Sequence, residues 1–499
     1  MDFAFILTSI APVFAPLNLL FVLLGAASGV LIGSIPGLTS TMGIALLIPF
    51  TYGMPIIPST GMLLGIFCGA MYGGSIAAIL IKTPGTPAAA ATILDGYPMG
   101  QRGEAGRALS IALFASFCGG MIGALTMTFL SPFVSKLALR FGPAEFFALA
   151  LFGLSVIISI SGKSLTKGLM SGFLGLLIAT VGMDKVSAYL RFTKLPGFYE
   201  GIPFIPGLIG LFAISEVFAN IENILKGEKI SAKISSVLPS LKDIKAIGRA
   251  TISGGFFGTF IGAIPGAGGD IAAFVSYSEA KRTSKHPEKF GTGIPEGIAA
   301  AESANNGCTG GAMIPLLSLG VPGDSNTAVL MGAFILQGFQ PGPMMYVEHM
   351  DIVYAVFASL IVANIAMLIV GMAGIKLFAK IISLERKLLI PAILVLSLVG
   401  SYAINQNMFD VFFALAMGLA GYLLQKYEFP LSPILLALIL GPMSESNLRR
   451  FMQIDDGKFW LLFTKPICVI FIALAMGSMI STVVRARKSA KNNGVLSAR

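Results

Sequence analysis

The chain has 499 residues, of which 55% are hydrophobic and only 12% are charged, and this composition excludes an ordinary soluble globular protein. At roughly 20 apolar residues for each crossing of the hydrocarbon core, we expect about 10 to 12 transmembrane spans. The basic residues behind the net charge of +10 lie in short breaks between apolar runs. This indicates the cytoplasmic loops of a membrane protein and not a nucleic-acid partner.

An N-terminal transmembrane half is predicted at residues 1–219. The first basic residue is Lys82, so no basic region precedes the first apolar run, and we expect that run to stay in the membrane and not to be cleaved as a signal peptide. The apolar segments of this half lie near residues 10–32, 60–81, 108–131, 144–160, 167–182 and 205–219.

A polar linker is predicted at residues 220–247, where charge mixed with Ile, Val and Leu is typical of an amphipathic segment at the membrane surface. A C-terminal transmembrane half at 248–484 and a basic tail at 485–499 follow. The Lys and Arg of the linker and tail predict that both are cytoplasmic. The apolar runs of this half, several too short to cross alone, lie near 248–264, 308–320, 326–336, 351–375, 388–404, 408–425, 430–442 and 460–484.

Two short motifs occur once in each half. Residues 32–37 (IGSIPG) and 261–266 (IGAIPG) are identical at five of six positions. Residues 83–86 (TPGT) and 321–324 (VPGD) each follow a Gly-Gly pair and an apolar stretch. Pro removes a backbone donor and Gly permits a sharp turn, so each motif predicts a helix break. The break residues are Pro36, Gly37, Pro84, Gly85, Pro265, Gly266, Pro322 and Gly323.

Breaks at membrane depth are tolerated only where they are buried in protein or line a wet cavity. Matched breaks in two halves therefore predict a transporter binding site at the interface of two repeats. The alternative is a set of packing kinks or ordinary interhelical turns. The predicted fold is an all-α polytopic membrane protein with two repeat-related halves and with broken helices or re-entrant hairpins.

Polar side chains follow each break. Hydroxyl, carbonyl and carboxylate oxygens after the first break of each half are hard ligands suited to Na⁺, and we predict an ion site there. The second breaks, with two nearby amides, offer donors to a carboxylate, and we predict the substrate there. The ion-site residues are Thr39, Ser40, Thr41, Gly266 and Asp270. The substrate-site residues are Lys82, Thr83, Thr86, Asn305, Asn306, Ser325, Asn326 and Thr327.

These residues also have structural alternatives. Lys82 could simply anchor the topology on the cytoplasmic side. Asp270 or Asp324 could cap the helix that it precedes, and any hydroxyl could make a cap or an interhelical hydrogen bond. Glu296 and Glu302 are further candidates for coupling to an ion or a proton. No catalytic residue, cofactor or metal other than Na⁺ is expected.

Longer segments resemble the TctA family, the large membrane subunit of the tripartite tricarboxylate transporters. In the second half they are residues 258–277 (GTFIGAIPGAGGDIAAFVSY), 285–288, 304–306 and 311–327 (GAMIPLLSLGVPGDSNT). In the first half they are residues 82–92 (KTPGTPAAAAT) and 95–99 (DGYPM). The likeness extends from about residue 20 to about residue 480.

The resemblance implies a permease subunit in the bacterial inner membrane that imports di- or tricarboxylates by secondary active transport, driven by a sodium or proton gradient. It also implies two partners, a small TctB-like membrane subunit with four spans and a TctC-like periplasmic binding protein. Related transporters bind cargo at the tips of re-entrant hairpins and move it by an elevator-like motion.

Three other function classes remain open from the residues alone: an autonomous ion-coupled organic-anion carrier, a passive anion channel and an intramembrane enzyme. The sequence holds two scattered histidines and no HExxH motif, which disfavours the enzyme. A channel would more naturally show rings of charge around a pore. No polar stretch reaches the roughly 100 residues of a binding domain, which agrees with the separate binding protein that the resemblance implies.

Overall fold

The computed structural model describes residues 3–160, 164–184, 187–221, 239–381 and 386–496. Regular structure within these ranges is almost entirely helical. The exception there is one antiparallel pair of two-residue strands, β1 (Gly182–Met183) and β2 (Leu190–Arg191). The protein is therefore an all-α membrane protein, as its composition predicts.

The first ten helices are α1 (Phe3–Ile10), α2 (Pro16–Ser34), α3 (Ser40–Thr51), α4 (Ile56–Ile81), α5 (Ala90–Met99), α6 (Ala105–Ala138), α7 (Pro143–Ile160), α8 (Leu165–Ala179), α9 (Phe204–Leu208) and α10 (Ser215–Ile221). The others are α11 (Leu241–Gly262), α12 (Gly269–Thr283), α13 (Pro295–Leu319), α14 (Ser325–Leu336), α15 (Met345–Glu348), α16 (Met350–Ile381), α17 (Arg386–Asn405), α18 (Met408–Lys426), α19 (Ser432–Ile454) and α20 (Pro466–Leu496).

Six helical stretches in the described ranges are long and apolar enough to cross a bilayer. Shorter apolar helices, α3 and α14 among them, have 10–17 residues and fall below the length of an average span. The chain is therefore a multi-pass membrane protein that also contains half-length helices. The six stretches are Pro16–Ser34, Ile56–Ile81, Pro87–Ala138, Phe204–Ile221, Met350–Gly374 and Met408–Lys426.

Glycines allow the central helices to pack backbone against backbone. A Cβ at Gly29 of α2 would lie 2.8 Å from the Cα of Ile66 on α4, and one at Gly258 of α11 would lie 2.6 Å from the Cα of Ala304 on α13. Small residues at such contacts are the usual basis of helix association in lipid. The helices α4 and α13 are buried along most of their length; α2 packs on α4, and α11 and α6 pack on α13.

All four Pro-Gly motifs interrupt helices. The breaks separate α2 from α3, α4 from α5, α11 from α12, and α13 from α14. Gly37 and Gly266 have φ values of +92° and +89°, a left-handed conformation that side chains disfavour. The helices before the second breaks also end alike, at Lys82 (φ 58°) and Gly320 (φ 69°).

The same order of elements follows in both halves. A long helix, a break, a short helix, a long helix, a second break, a short helix and a further long helix occur as α2 to α6 and again as α11 to α14 followed by α16. The Pro-Gly breaks therefore occupy corresponding places in the two series.

Two helices begin earlier in the chain than the apolar runs that the sequence shows. α11 begins at Leu241, inside the predicted linker, because Ser240 and Asp243 form a capping box. α13 begins at Pro295, well before the run at 308, because its small polar residues are buried against other helices. Residues 222–238 of the linker lie outside the described residues. Of the tail, residues 485–496 continue α20, and its predicted cytoplasmic side stays a prediction.

Candidate substrate and ion site

A cavity of about 380 Å³ lies where the helix breaks meet. Residues at the N-termini of α3 (39–41), α12 (268–270) and α14 (324–326) line it, as do residues 86–88 just before α5. Four helix N-termini from both halves therefore face one space. Its other lining residues are Met71, Phe212, Glu216, Gly266, Gln425, Phe429, Pro430, Leu431, Ser432 and Leu436.

Asn326 joins the two halves at the cavity wall. Its Oδ1 accepts hydrogen bonds from Ser40 Oγ and Thr41 Oγ1, both at 2.8 Å. Its Nδ2 donates to Asp324 Oδ2 at 3.0 Å. Residues that we predicted for the ion thus bond directly to a residue that we predicted for the substrate, and the two sets share one cavity.

The two aspartates at the cavity have different local roles. Asp324 caps α14, because its Oδ1 accepts the Thr327 N–H at 2.8 Å and the Thr327 hydroxyl donates back to it. Asp270 lies in the first turn of α12, whose N-cap is Gly268, so Asp270 is not the cap of that helix. Its carboxylate is exposed at the cavity, where it is available to ligate a cation.

The side chains around the cavity are acidic. Glu216, Asp270 and Asp324 line it, whereas none of its lining residues is Lys, Arg or His. A carboxylate substrate would meet the positive ends of the helix dipoles and polar donors in place of cationic side chains. The three carboxylates would repel it unless cations are also bound. The site is therefore suited to an anion and a cation together.

Thr86 supplies an unpaired hydroxyl. Its side chain is 2% exposed, and its Oγ1 has no hydrogen-bond partner within the described part of the chain. An unsatisfied buried hydroxyl costs roughly 1–3 kcal/mol. Thr86 also lines the cavity, although its Oγ1 is buried against Gly74 of α4, so the hydroxyl would meet a ligand there by rotation of its side chain.

Thr86, Ser325 and Asn326 line the cavity, and the other five of the eight predicted substrate residues do not. Asn305 lies directly behind it: its Nδ2 donates to Met71 O at 3.1 Å, and its Oδ1 is 2.8 Å from the position of a Cβ on Gly269. Lys82 is exposed, with Nζ 5.6 Å from the centre of the Tyr97 ring.

Three further predicted residues make local hydrogen bonds. Thr83 Oγ1 donates to Ile81 O at 3.3 Å, and Asn306 Nδ2 donates to Glu302 O at 3.3 Å. Thr327 completes the cap of α14. The eight break residues all lie between helices, and of these only Gly266 lines the cavity.

Glu216 is a cavity residue that sequence reasoning missed. It lies on α10, and its Oε1 accepts a hydrogen bond from Asn220 Nδ2 at 2.9 Å. Both side chains approach the first break, since a Cβ at Gly37 would lie 3.0 Å from Asn220 Oδ1. A carboxylate at the end of an apolar run was the available signal. Gln425 and residues 429–432 belong to no motif, so nothing in the sequence marked them.

Asp95, the first residue of the DGYPM segment, connects the two halves of the chain. Its Oδ1 accepts the N–H groups of Gly291, Gly293 and Ile294 at 2.7–3.0 Å, and its Oδ2 accepts the Tyr277 hydroxyl at 2.8 Å. Arg102 donates to the carbonyl of Gly293 at 2.7 Å. This first-half segment therefore holds the loop before α13 in place and has a structural role.

No group of three or more His, Cys, Asp or Glu side chains in the described ranges could hold a metal ion. The oxygen ligands at the cavity are hydroxyls, backbone carbonyls and separate carboxylates, a set that suits Na⁺ better than a transition metal.

Comparisons with known proteins agree with this picture. A family model for the tripartite tricarboxylate transporter TctA family matches residues 19–436. An uncharacterized 52.8 kDa protein of Agrobacterium vitis, from the TAR-I ttuC' 3' region, is 37% identical over 478 residues, which are 96% of this chain and 95% of that protein. An uncharacterized protein from the TAR-II ttuC' 3' region of the same organism is 36% identical over 235 residues, 47% of this chain and 97% of that protein.

No solved structure matches the chain. The range matched by the family model contains all four helix breaks and every residue that lines the cavity. On this evidence the chain belongs to the TctA family of tripartite tricarboxylate transporters.

Proposed function

We propose that the chain is the permease subunit of a secondary-active tripartite transporter that imports di- or tricarboxylates, driven by a sodium or proton gradient. Family membership supports a transporter component. The observation that carries the finer proposal is the single cavity at which four helix N-termini and three carboxylates meet. Half-helix N-termini bind anionic groups in other transporters, and nearby oxygens bind their coupling cations.

The cation and the carboxylate are proposed to occupy this cavity together. Asp270, with Ser40 and Thr41, supplies oxygens for the cation, while Thr86 and the free N–H groups at the helix starts bind the carboxylate. The hydrogen bonds from Ser40 and Thr41 to Asn326 make the two sites neighbours. Binding of a cation then reduces the repulsion that the substrate would meet.

The two halves are proposed to be structural repeats, and the matching order of helices and breaks supports this. The transport movement is proposed to be elevator-like. The cavity lies between the central helices, which carry the breaks, and residues of α10, α18 and α19 outside them. A small TctB-like membrane subunit and a TctC-like periplasmic binding protein are proposed as partners.

Transport by the complete complex tests the proposal. The chain and its two partner subunits are reconstituted in proteoliposomes, and counterflow of radiolabelled citrate or tartrate is measured with and without sodium or a pH gradient. A carrier exchanges labelled for unlabelled substrate, whereas a channel only equilibrates it. Efficient high-affinity uptake by this chain alone would contradict the tripartite assignment and favour an autonomous carrier.

The unpaired hydroxyl of Thr86 provides a matched pair of variants. Thr86→Val removes one hydrogen bond to the ligand and should raise the half-saturating substrate concentration about threefold to tenfold. Thr83→Val, in the same loop but outside the cavity, should leave it unchanged. Equal effects of the two variants would remove Thr86 from the substrate site.

A further inference from the structure

Glu302 is a carboxylic acid enclosed within the protein and separate from the cavity. It lies on α13, has a relative exposure of 0% and receives hydrogen bonds from two hydroxyls. Thr92 of α5 donates to Oε1, and Ser116 of α6 donates to Oε2 at 2.9 Å. The first half of the chain thus supplies both donors to a carboxyl group of the second half.

Glu302 has no cationic partner within the described residues, because hydroxyls are its only side-chain partners there. The Tyr72 hydroxyl of α4 interacts electrostatically with Glu302. None of the other titratable or charged side chains on the helices packed around α13 is a hydrogen-bond or ion-pair partner of Glu302 among the described residues. These are Cys68 of α4, Asp95 and Tyr97 of α5, Arg107, Cys118 and Lys136 of α6, Lys242, Asp243, Lys245 and Arg249 of α11, Asp270, Tyr277, Glu279, Lys281 and Arg282 of α12, Asp324 before α14, and Tyr346 and Glu348 of α15.

An ionised carboxylate without a counter-ion is costly inside a protein, and such a group is normally neutralised by a proton. A protonated carboxyl group needs an acceptor for its O–H. The hydroxyl of Tyr72 is also fully buried, and it has no hydrogen-bond partner within the described ranges. Tyr72 makes no hydrogen bond to Glu302, and the hydroxyl oxygen of Thr92, which already contacts Oε1, can accept the O–H of the protonated form.

A polar connection leads from Glu302 towards the cavity. Asn305 and Asn306 lie about one helical turn further along α13, a rise of about 5 Å. The Oδ1 atoms of both amides are buried and lack partners among the described residues, so each would gain a hydrogen bond if water entered there. Asn305 Oδ1 lies directly behind Gly269, which lines the cavity. Water that enters past these amides when the helices move would carry a proton between the cavity and Glu302.

We propose that Glu302 binds and releases one proton in each transport cycle, so that the carrier moves a proton together with the carboxylate. This rests on the proposed carrier function. The hydroxyls of Thr92 and Ser116 favour the charged form of Glu302 and burial favours the neutral form, so a change in its hydration when the central helices move against α10, α18 and α19 changes which form is stable. The proton enters from one side as the O–H of Glu302 and leaves to water on the other side.

The first test needs no substrate. Infrared difference spectroscopy of the purified chain in lipid should show the C=O stretch of a protonated carboxyl group that titrates with pH, and Glu302→Gln should remove it. Ser116→Ala removes a hydrogen bond to the charged form, so the band should persist to higher pH. Glu145→Gln is the control, because that carboxylate is also buried but accepts a backbone N–H from Gly142. A band that survives in Glu302→Gln would overturn the proposal.

The second test measures coupling in the reconstituted complex with the membrane potential clamped. A gradient of one pH unit coupled to one proton supports an accumulation ratio of about 10 for citrate or tartrate. In Glu302→Gln that ratio should fall to about 1, while counterflow, which needs no net proton movement, continues. The Glu145→Gln complex should match the wild type in both measurements.

The outcomes separate the two proposals. If Glu302→Gln retains counterflow and also accumulates substrate like the wild type, Glu302 is not the proton site. If the wild-type complex shows no counterflow of either compound, the proposed carrier function is contradicted. The infrared titration then still decides whether Glu302 holds an exchangeable proton.

Discussion

Asp270 lines the cavity but is not the N-cap of its helix, and its exposed carboxylate is available to a bound cation there. Asp324, by contrast, already accepts two hydrogen bonds from Thr327 and one from Asn326. The sequence predicted Asp270 and Ser40 because they follow an IPG break. It did not predict Glu216, because no short motif records which later helix folds back onto that break. Lys82 was predicted at the substrate site because it is the first cation and adjoins a break. Its position corresponds to Gly320 in the second half, and both residues end their helix in a left-handed conformation.

We expect the cation and the substrate to depend on different residues of the cavity. Asp270→Asn removes a charge but keeps the side-chain size, so the sodium concentration for half-maximal transport should rise on the order of tenfold, equivalent to about 1.4 kcal/mol. The substrate concentration that gives half-maximal transport at saturating sodium should change much less. Uptake at graded sodium concentrations in proteoliposomes measures both.

The complementary variant is Asn326→Ala, which should weaken substrate binding more than the sodium response. Because Ser40 and Thr41 donate hydrogen bonds to Asn326, we expect Asn326→Ala to have a smaller effect on the sodium response as well. A normal sodium response in a folded and active Asp270→Asn variant would remove Asp270 from the ion site.

At the scale of helices, the breaks were predictable because Pro and Gly act locally, whatever the surrounding fold. A helix after Asp270 was predicted, but the extents and positions of the short helices α3 and α12 were not. They have 12 and 15 residues, start with polar or small residues and lack the length of an apolar span. Their positions depend on contacts with distant helices, such as that between Gly269 and Asn305, and no spacing within the sequence encodes these contacts.

The close packing of α11 on α13 gives a prediction with a control on the same helix. A Cβ at Gly258 would lie 2.6 Å from the Cα of Ala304, whereas one at Gly248 would meet nothing within 4 Å. Gly258→Ala should therefore destabilise the protein by about 1–3 kcal/mol. Gly248→Ala should be neutral or stabilising by up to about 1 kcal/mol, since Ala favours the helix.

Thermal unfolding of the purified protein in detergent measures both variants. Equal melting temperatures for the two variants would show that a Cβ at Gly258 costs no stability. That result would contradict the close contact between the backbones of α11 and α13. Loss of transport without loss of stability in Gly258→Ala would instead indicate that these helices slide during the cycle.

For the whole molecule, the cavity lies at a boundary between two groups of helices. The central group carries the breaks. Of the helices outside it, α7, α8, α19 and α20 pack mainly on one another, and α10, α17 and α18 also pack together. Gly153 of α7 meets the central group away from the cavity: its Cβ would lie 3.4 Å from Val321 Cγ1. An elevator-like movement would displace these two residues relative to each other.

Cross-linking tests this movement. In a chain whose four cysteines are replaced, Gly153→Cys with Val321→Cys should form a disulfide, because the position of a Cβ on Gly153 is 3.4 Å from Val321 Cγ1, an atom one bond from the Val321 Cβ. Oxidation should stop counterflow, and a reductant should restore it. Ala91→Cys with Ala273→Cys, a packed pair inside the central group, should cross-link without loss of transport. Full transport by the cross-linked 153–321 variant would exclude separation of the two groups.

The contacts of Asp95 also set the order in which this protein can be completed during synthesis. Its carboxylate is fully buried, and its three backbone partners lie 196–199 residues later in the chain. A ribosome that adds about 5–20 residues per second needs roughly 10–40 s to make that stretch. Until then Asp95 must remain hydrated, so the first half cannot close around it. The packing of the first half around Asp95 is therefore completed only after residues 291–294 of the second half have been synthesised.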